Sequence, residues 1–270
     1  MVLGNTATRI IVSVIAIPAI VLSCYLGSYY FYVFVMGIGI ISYYEFWSFV
    51  KRKDINSNLT IGIIAIGLII TNAFIKFIEF YPLFLILLII ITVTELFRNS
   101  GSAIINLGAS LLGILYTGLF SSALLIIREF YTSDYSSGGF LIISLFASIW
   151  VCDSAAFFGG SVFGKHKLFP RVSPNKSWEG AVFGLLFAIF AMLVAKVLLL
   201  EFISWFDSII LGVIVGSIGQ IGDLIESLFK RDAGVKDSSG IIPGHGGVFD
   251  RFDSLLYTAP AVLLYLIFFT

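Results

Sequence analysis

The chain has 270 residues, with 16 basic and 16 acidic side chains and no formal net charge. Hydrophobic residues make up 59% and charged residues only 12%, about half the charge of a soluble domain, which excludes water as the main solvent. The zero balance also excludes the strongly basic face that a nucleic-acid partner needs. Two cysteines and two histidines, far apart, do not suit a disulfide framework or a four-ligand zinc site.

Nine apolar segments follow one another, at roughly 9–27, 28–50, 60–78, 80–97, 102–128, 138–160, 178–200, 205–228 and 252–269. Their lengths suit α-helices that cross a bilayer, which takes roughly 17–25 residues. The first, from Ile10 to Leu26, is longer than the apolar core of a signal peptide. It contains Pro18 and runs on through Gly27 without a small-residue cleavage site, so it reads as a span. The breaks carry turn residues: Lys51-Arg52-Lys53-Asp54, Tyr81-Pro82, Asn99-Ser100-Gly101 and Ser136-Ser137-Gly138-Gly139. Ten-residue stretches of alternating polarity, the mark of a membrane β-barrel, do not occur. The predicted fold is all-α: a polytopic transmembrane helical bundle of nine spanning helices, forming a single integral-membrane domain over 1–270. Within it, 1–137 reads mainly as scaffold and 138–270 as catalytic spans and loops. No internal repeat supports the inverted-repeat architecture of many transporters.

Charge tests the segmentation independently. If the spans alternate, one face collects Arg9, Lys51, Arg52, Lys53, Arg98, Lys165, Lys167, Arg171, Lys176, Lys230, Arg231, Lys236 and Arg251. The other face keeps only Lys76, Arg128 and Lys196. Positive residues stay cytoplasmic, so this bias predicts a cytoplasmic N-terminus and an external C-terminus.

The polar residues concentrate between Asp153 and Asp253. Asp153 lies within the sixth span, where a carboxylate costs on the order of 2.5–3.5 kcal/mol unless paired or hydrated. A site lined by water or cations accounts for it, and so does a helix-packing hydrogen bond. The following loop, Phe163 to Gly180, holds two prolines and several cations beside the membrane. Arg171 and Lys176 there suit phosphate binding, although a positive loop that only sets topology has the same composition. Ser177-Trp178-Glu179 reads as a helix start with Ser177 as N-cap. In the eighth span Gly216, Gly219 and Gly222 permit close backbone approach. Asp223, Glu226 and Lys230 share a helical face there, as a site or as an ion-pair ladder. Further on, Gly244, Gly246 and Gly247 free the backbone to wrap a bulky polyanion. Asp250 and Asp253 sit one turn apart at the start of the last span, where hard carboxylate oxygens suit Mg²⁺ bound together with phosphates. A two-metal displacement at phosphorus needs such a cluster.

The run Ser227 to Asp253 resembles the signature of the phosphatidate cytidylyltransferase family (CDP-diacylglycerol synthases), bacterial type. Its Ser-x-x-Lys-Arg, Lys-Asp, Pro-Gly-His-Gly-Gly and Asp-Arg-x-Asp elements stand here in order. Arg171 to Gly180 and Asp153-Ser154-Ala155-Ala156 are also similar to family segments, with Asn175 where many members carry a second lysine. The resemblance implies the reaction of CTP with phosphatidic acid to give CDP-diacylglycerol and pyrophosphate, as part of phospholipid biosynthesis in a bacterial inner membrane. It implies Mg²⁺ as cofactor, with room for a second cation, K⁺ or Mg²⁺, and membrane lipid as surroundings. It leaves a homodimer open. Asp223, Asp250 and Lys176 are the expected catalytic residues, and Asp223, Asp250, Asp253 and Asp153 the expected metal ligands. Arg171, Ser173, Lys230, Lys236, His245, Gly246, Gly247 and Arg251 are expected at the substrates. Rival readings are a CTP-dependent lipid kinase, another lipid nucleotidyltransferase, and a cation transporter using Asp153 and Asp223.

Overall fold

A computed structural model describes residues 5–131 and 134–270. Among the described residues, nine apolar helices stand where the nine spans are expected. These are α1 (Asn5–Leu26), α2 (Ser28–Arg52), α3 (Leu59–Ile75), α4 (Phe80–Leu96) and α5 (Ala103–Arg128). They continue as α6 (Tyr135–Phe163), α7 (Trp178–Leu198), α8 (Trp205–Asp232) and α9 (Phe249–Phe269). Seven are long and apolar enough to cross a membrane, by length and composition. The other two, α3 and α4, have 17 residues each, roughly 25 Å at the rise of an α-helix, the lower limit for a span. Helices dominate because each satisfies its own backbone hydrogen bonds, the condition for entering a bilayer. The outer faces are correspondingly apolar, with Ile15, Ile89, Phe190 and Phe268 open to the surroundings. The protein is an integral membrane protein of the all-α class.

At the centre, α2, α3, α5, α6 and α9 bury Phe31, Val35, Ile66, Ile70, Leu124, Leu141 and Val262. Glycines set a close crossing between α7 and α8. A Cβ at Gly216 would lie 2.7 Å from Leu185 Cα, and one at Gly212 would lie 2.5 Å from Ile189 Cα. Two helices contain a π-helical turn, Ile114–Leu119 in α5 and Val215–Gly219 in α8. No composition rule signals these turns, and the sequence reading has none.

The segment between α6 and α7 differs from the plain loop expected. It forms a small antiparallel hairpin, β1 (Lys167–Phe169) with β2 (Ser173–Ser177), in which Lys167 faces Ser177 and Phe169 faces Ser173. Its turn is closed by the Val172 N–H donating to the Phe169 carbonyl at 3.1 Å. Pro170 follows Phe169, the position where a fixed φ favours such a turn.

Contacts between connections show the alternation of the spans. At one end, the Asn56 N–H donates to Asn106 Oδ1 at 2.9 Å, Lys53 pairs with Asp232 at 3.3 Å, and Arg231 Nε donates to the Val172 carbonyl at 3.2 Å. These join the connections that carry most of the basic residues. At the other end, Tyr265 O–H donates to Asp207 Oδ1 at 2.6 Å, tying the end of α9 to the start of α8. Arg128 lies at this end and is 1% exposed. Its guanidinium donates to the carbonyls of Cys24 (2.9 Å), Tyr25 (3.1 Å) and Tyr135 (2.7 Å), and packs over the Tyr135 ring at 4.2 Å. It caps orphan carbonyls at the C-terminus of α1.

Candidate active site

Most charged residues of the last third gather at the end of the bundle that carries the hairpin. β2 alternates its side chains, so Lys176 points opposite to its neighbours Asn175 and Ser177. Ser177 caps α7 by accepting from the Gly180 N–H at 3.1 Å, as its sequence position predicts. Glu179, in the first turn, accepts from the backbone N–H groups of Lys165 and His166 at 3.1–3.3 Å and contacts His166 Nδ1 at 2.6 Å. With Arg231 holding the Val172 carbonyl, the hairpin is fixed to α7 and α8 together. This frame sets Lys176 Nζ 2.5 Å from Asp223 Oδ2, with both side chains 30% exposed.

Along α8 the expected face is realised. Glu226 is fully buried, and Lys230 Nζ lies 2.6 Å from its Oε2 and 2.7 Å from Asp250 Oδ1 on α9. Asp250 is the hub of the following loop. Its Oδ2 accepts from the Ser238 N–H and O–H, both at 2.8 Å, and from the Gly247 N–H at 2.9 Å. The loop between them turns at Ile242-Pro243-Gly244-His245, where the His245 N–H donates to the Ile242 carbonyl at 2.9 Å. Pro243 fixes one φ, and Gly244 takes φ +76°, as the third residue of a type II turn requires. Gly246 has φ +84°. Gly247 is buried instead against α2: a Cβ there would lie 2.4 Å from Glu45 Oε1 and would overlap Ser238 Oγ. Close packing thus accounts for Gly247, and its N–H is directed to Asp250.

Asp153 on α6, Asp223 on α8 and Asp253 on α9 lie within electrostatic reach of one another, and the charges of Lys176, Arg251 and Lys230 act on the same group. Asp253 accepts from the neighbouring Ser254 N–H at 2.5 Å. Other expected residues stand apart. Among the described residues, no hydrogen bond or ion pair joins the side chains of Arg171, Ser173 or Lys236 to this group. His245 turns toward α1, its Nε2 3.3 Å from Ser13 Oγ, with Nδ1 buried and unpartnered.

The sequence reading misses Glu45 on α2. It is fully buried, yet it accepts from Ser238 and Ser239 hydroxyls and from the N–H groups of Val248 and Phe249. The signal was present: an acidic residue inside an apolar span, the same ground on which Asp153 stands out.

Among the described residues, no group of three or more His, Cys, Asp or Glu side chains forms a ready-made metal cage. The donor chemistry nevertheless fits Mg²⁺ arriving with phosphates, since such sites use one or two carboxylates and complete the shell from substrate and water. Lys176 already holds a positive charge against Asp223. Asp250 fits less well, because both its oxygens are engaged by protein donors.

The fold and this charge-paired end define a polytopic membrane protein with a polar site built by the last four helices and the hairpin. The sequence profile of the Cytidylyltransferase family matches residues 7–269. Three relatives are each named phosphatidate cytidylyltransferase. That of Staphylococcus aureus strain COL is 36% identical over 213 residues, covering 75% of this chain and 77% of the relative. That of Haemophilus influenzae is 47% identical over 143 residues, covering 49% and 47%, and that of Staphylococcus saprophyticus 43% over 132 residues, covering 49% and 51%. The chain therefore belongs to the cytidylyltransferase family, while its match to the latter two spans about half their length.

Proposed function

We propose that the protein is a CTP:phosphatidate cytidylyltransferase of phospholipid synthesis. The observation that carries this reading is the two ammonium–carboxylate contacts, Lys176–Asp223 and Lys230–Asp250, at one end of a membrane bundle. Family membership supports it, as do the names of the relatives. An oxygen of the lipid phosphate forms a bond to the α-phosphorus of CTP as the bond to the β-phosphate bridge breaks, and the electron pair leaves with pyrophosphate. Both reactants are anions, so the work is positioning and charge neutralisation rather than strong-base chemistry. Lys176 releases Asp223 to hold a phosphate, Lys230 holds another from its place beside Asp250, and Arg251 adds a forked donor. Asp223, with Asp153 or Asp253 beside it, would hold Mg²⁺, which supplies positive charge to the phosphates when bound.

The site opens on the basic end of the bundle, which we assign to the cytoplasm by the positive-inside rule. CTP then enters from the cytoplasm and the lipid from the inner leaflet of a bacterial cytoplasmic membrane. Purified protein in mixed micelles, given CTP labelled at the α-phosphate and phosphatidic acid, is expected to transfer label to lipid and release one pyrophosphate per transfer. Label released as CDP would identify a kinase instead, and no lipid-dependent turnover would overturn the reading.

A further inference from the structure

We infer that Glu45, on α2, is a positioning residue that sets the loop between α8 and α9 in its working shape, an assignment that rests on the transferase reading above. The carboxylate sits in the bundle with no exposed surface and lies near no cation at ion-pair distance among the described residues. Four donors converge on it instead: Ser238 O–H at 2.9 Å, Ser239 O–H, Val248 N–H at 3.1 Å and Phe249 N–H at 2.7 Å. All four belong to the loop or to the start of α9. Val248 and Phe249 supply N–H groups at a helix start, which lack partners inside the helix. A carboxylate there satisfies them and lies at the positive end of the helix dipole.

The arrangement asks for an acceptor without hydrogens. Backbone N–H groups cannot reverse direction, so an amide NH₂ in place of one oxygen would face a donor with a donor. Ser238 has one hydroxyl hydrogen, which Glu45 Oε2 (2.9 Å) and Asp250 Oδ2 (2.8 Å) share, so it couples the two carboxylates. Glu45 thereby acts on the site through Asp250, whose Oδ1 receives Lys230 at 2.7 Å. Shape supports the same assignment: Gly247 leaves room for the Glu45 carboxylate and for nothing larger than a hydrogen. Glu45 needs no contact with substrate to control where Lys230 and Asp250 stand.

The test is Glu45→Gln in the full-length protein, read by two independent measurements. Hydrogen exchange should quicken at the Val248 and Phe249 amides by about tenfold or more, with α3 and α5 unchanged. In the lipid-transfer assay kcat should fall about tenfold or more while KM for CTP moves less than about threefold, because the loop's working shape and not the substrate contacts is lost. A merely structural role would loosen the whole bundle, or lower kcat only as far as the folded fraction falls. Unchanged exchange, or wild-type kcat with altered exchange, overturns the inference. If Glu45→Gln does not accumulate, Ser239→Ala removes a single donor and should give a smaller effect of the same pattern, while unchanged values in both measurements overturn it. Absence of transfer by the wild-type protein would count against the transferase reading alone, since the exchange measurement does not depend on it.

Discussion

Asp223 and Asp250 differ in what surrounds them, and that difference predicts how each responds to loss of charge. Asp223 has an ion pair with Lys176 at 2.5 Å and a long contact from Ser227 O–H at 3.4 Å. Asp250 receives Lys230 and three further donors from the loop. Asp223→Asn is therefore expected to abolish lipid transfer with little change in thermal stability in detergent. Asp250→Asn is expected to lower both, because an amide leaves one side of the hub with donor facing donor. Thermal unfolding and transfer assays on the same preparations check the pair; equal stability loss in both variants would contradict it. Lys176→Ala should lower kcat/KM at least about tenfold, or about 1.4 kcal/mol of transition-state stabilisation. Lys176→Arg should rescue only part, since a planar fork does not reproduce a point charge. At this scale the sequence is informative where residues sit close together in the chain. The shared helical face of Asp223, Glu226 and Lys230, and the placing of Asp250 one turn before Asp253, follow from local spacing. Glu45 does not, because its partners lie 193 to 204 residues away and no spacing rule links them.

At the level of elements, apolar length and capping residues determine most of what forms. The nine helices were legible because a bilayer demands long uninterrupted apolar segments, and Ser177 was legible as a cap from its place before Trp178-Glu179. The hairpin β1–β2 was not, since its strands are short, polar and lack alternation of the usual apolar kind. The π turn at Val215–Gly219 was equally hidden, although the glycines within it were conspicuous. Those glycines lead to a prediction. Gly216→Ala places a methyl 2.7 Å from Leu185 Cα, a backbone atom that cannot rotate away. The crossing of α7 and α8 must then widen, at about 1–3 kcal/mol. A lower unfolding temperature is expected, with transfer activity falling as well because α8 carries Asp223. A Gly216→Ala protein as stable as the parent would mean that this crossing yields easily.

For the whole molecule, the contacts between connections show alternation, and the orientation proposed from the positive-inside rule can be tested directly. Cysteines placed at Glu201 and at Gly240, both exposed, belong to opposite ends of the bundle. In intact cells, a membrane-impermeant thiol reagent should label the first and not the second, once the buried native thiols are shown to be unreactive. The reverse pattern would invert the assigned orientation and leave the proposed site away from cytoplasmic CTP. The two ends also divide labour. The basic end holds the charge-paired site, and the opposite end is tied by Arg128 and by the Asp207–Tyr265 bond.

Arg128 has a consequence for how the protein is made. Its three carbonyl acceptors come from two places: Cys24 and Tyr25, synthesised long before it, and Tyr135, synthesised just after. A guanidinium released into lipid without acceptors is expensive, so α5 has a reason to leave the insertion machinery only against α1. The nascent chain would thus keep its first helix near the exit until the fifth arrives, and Tyr135 would close the clasp as α6 follows.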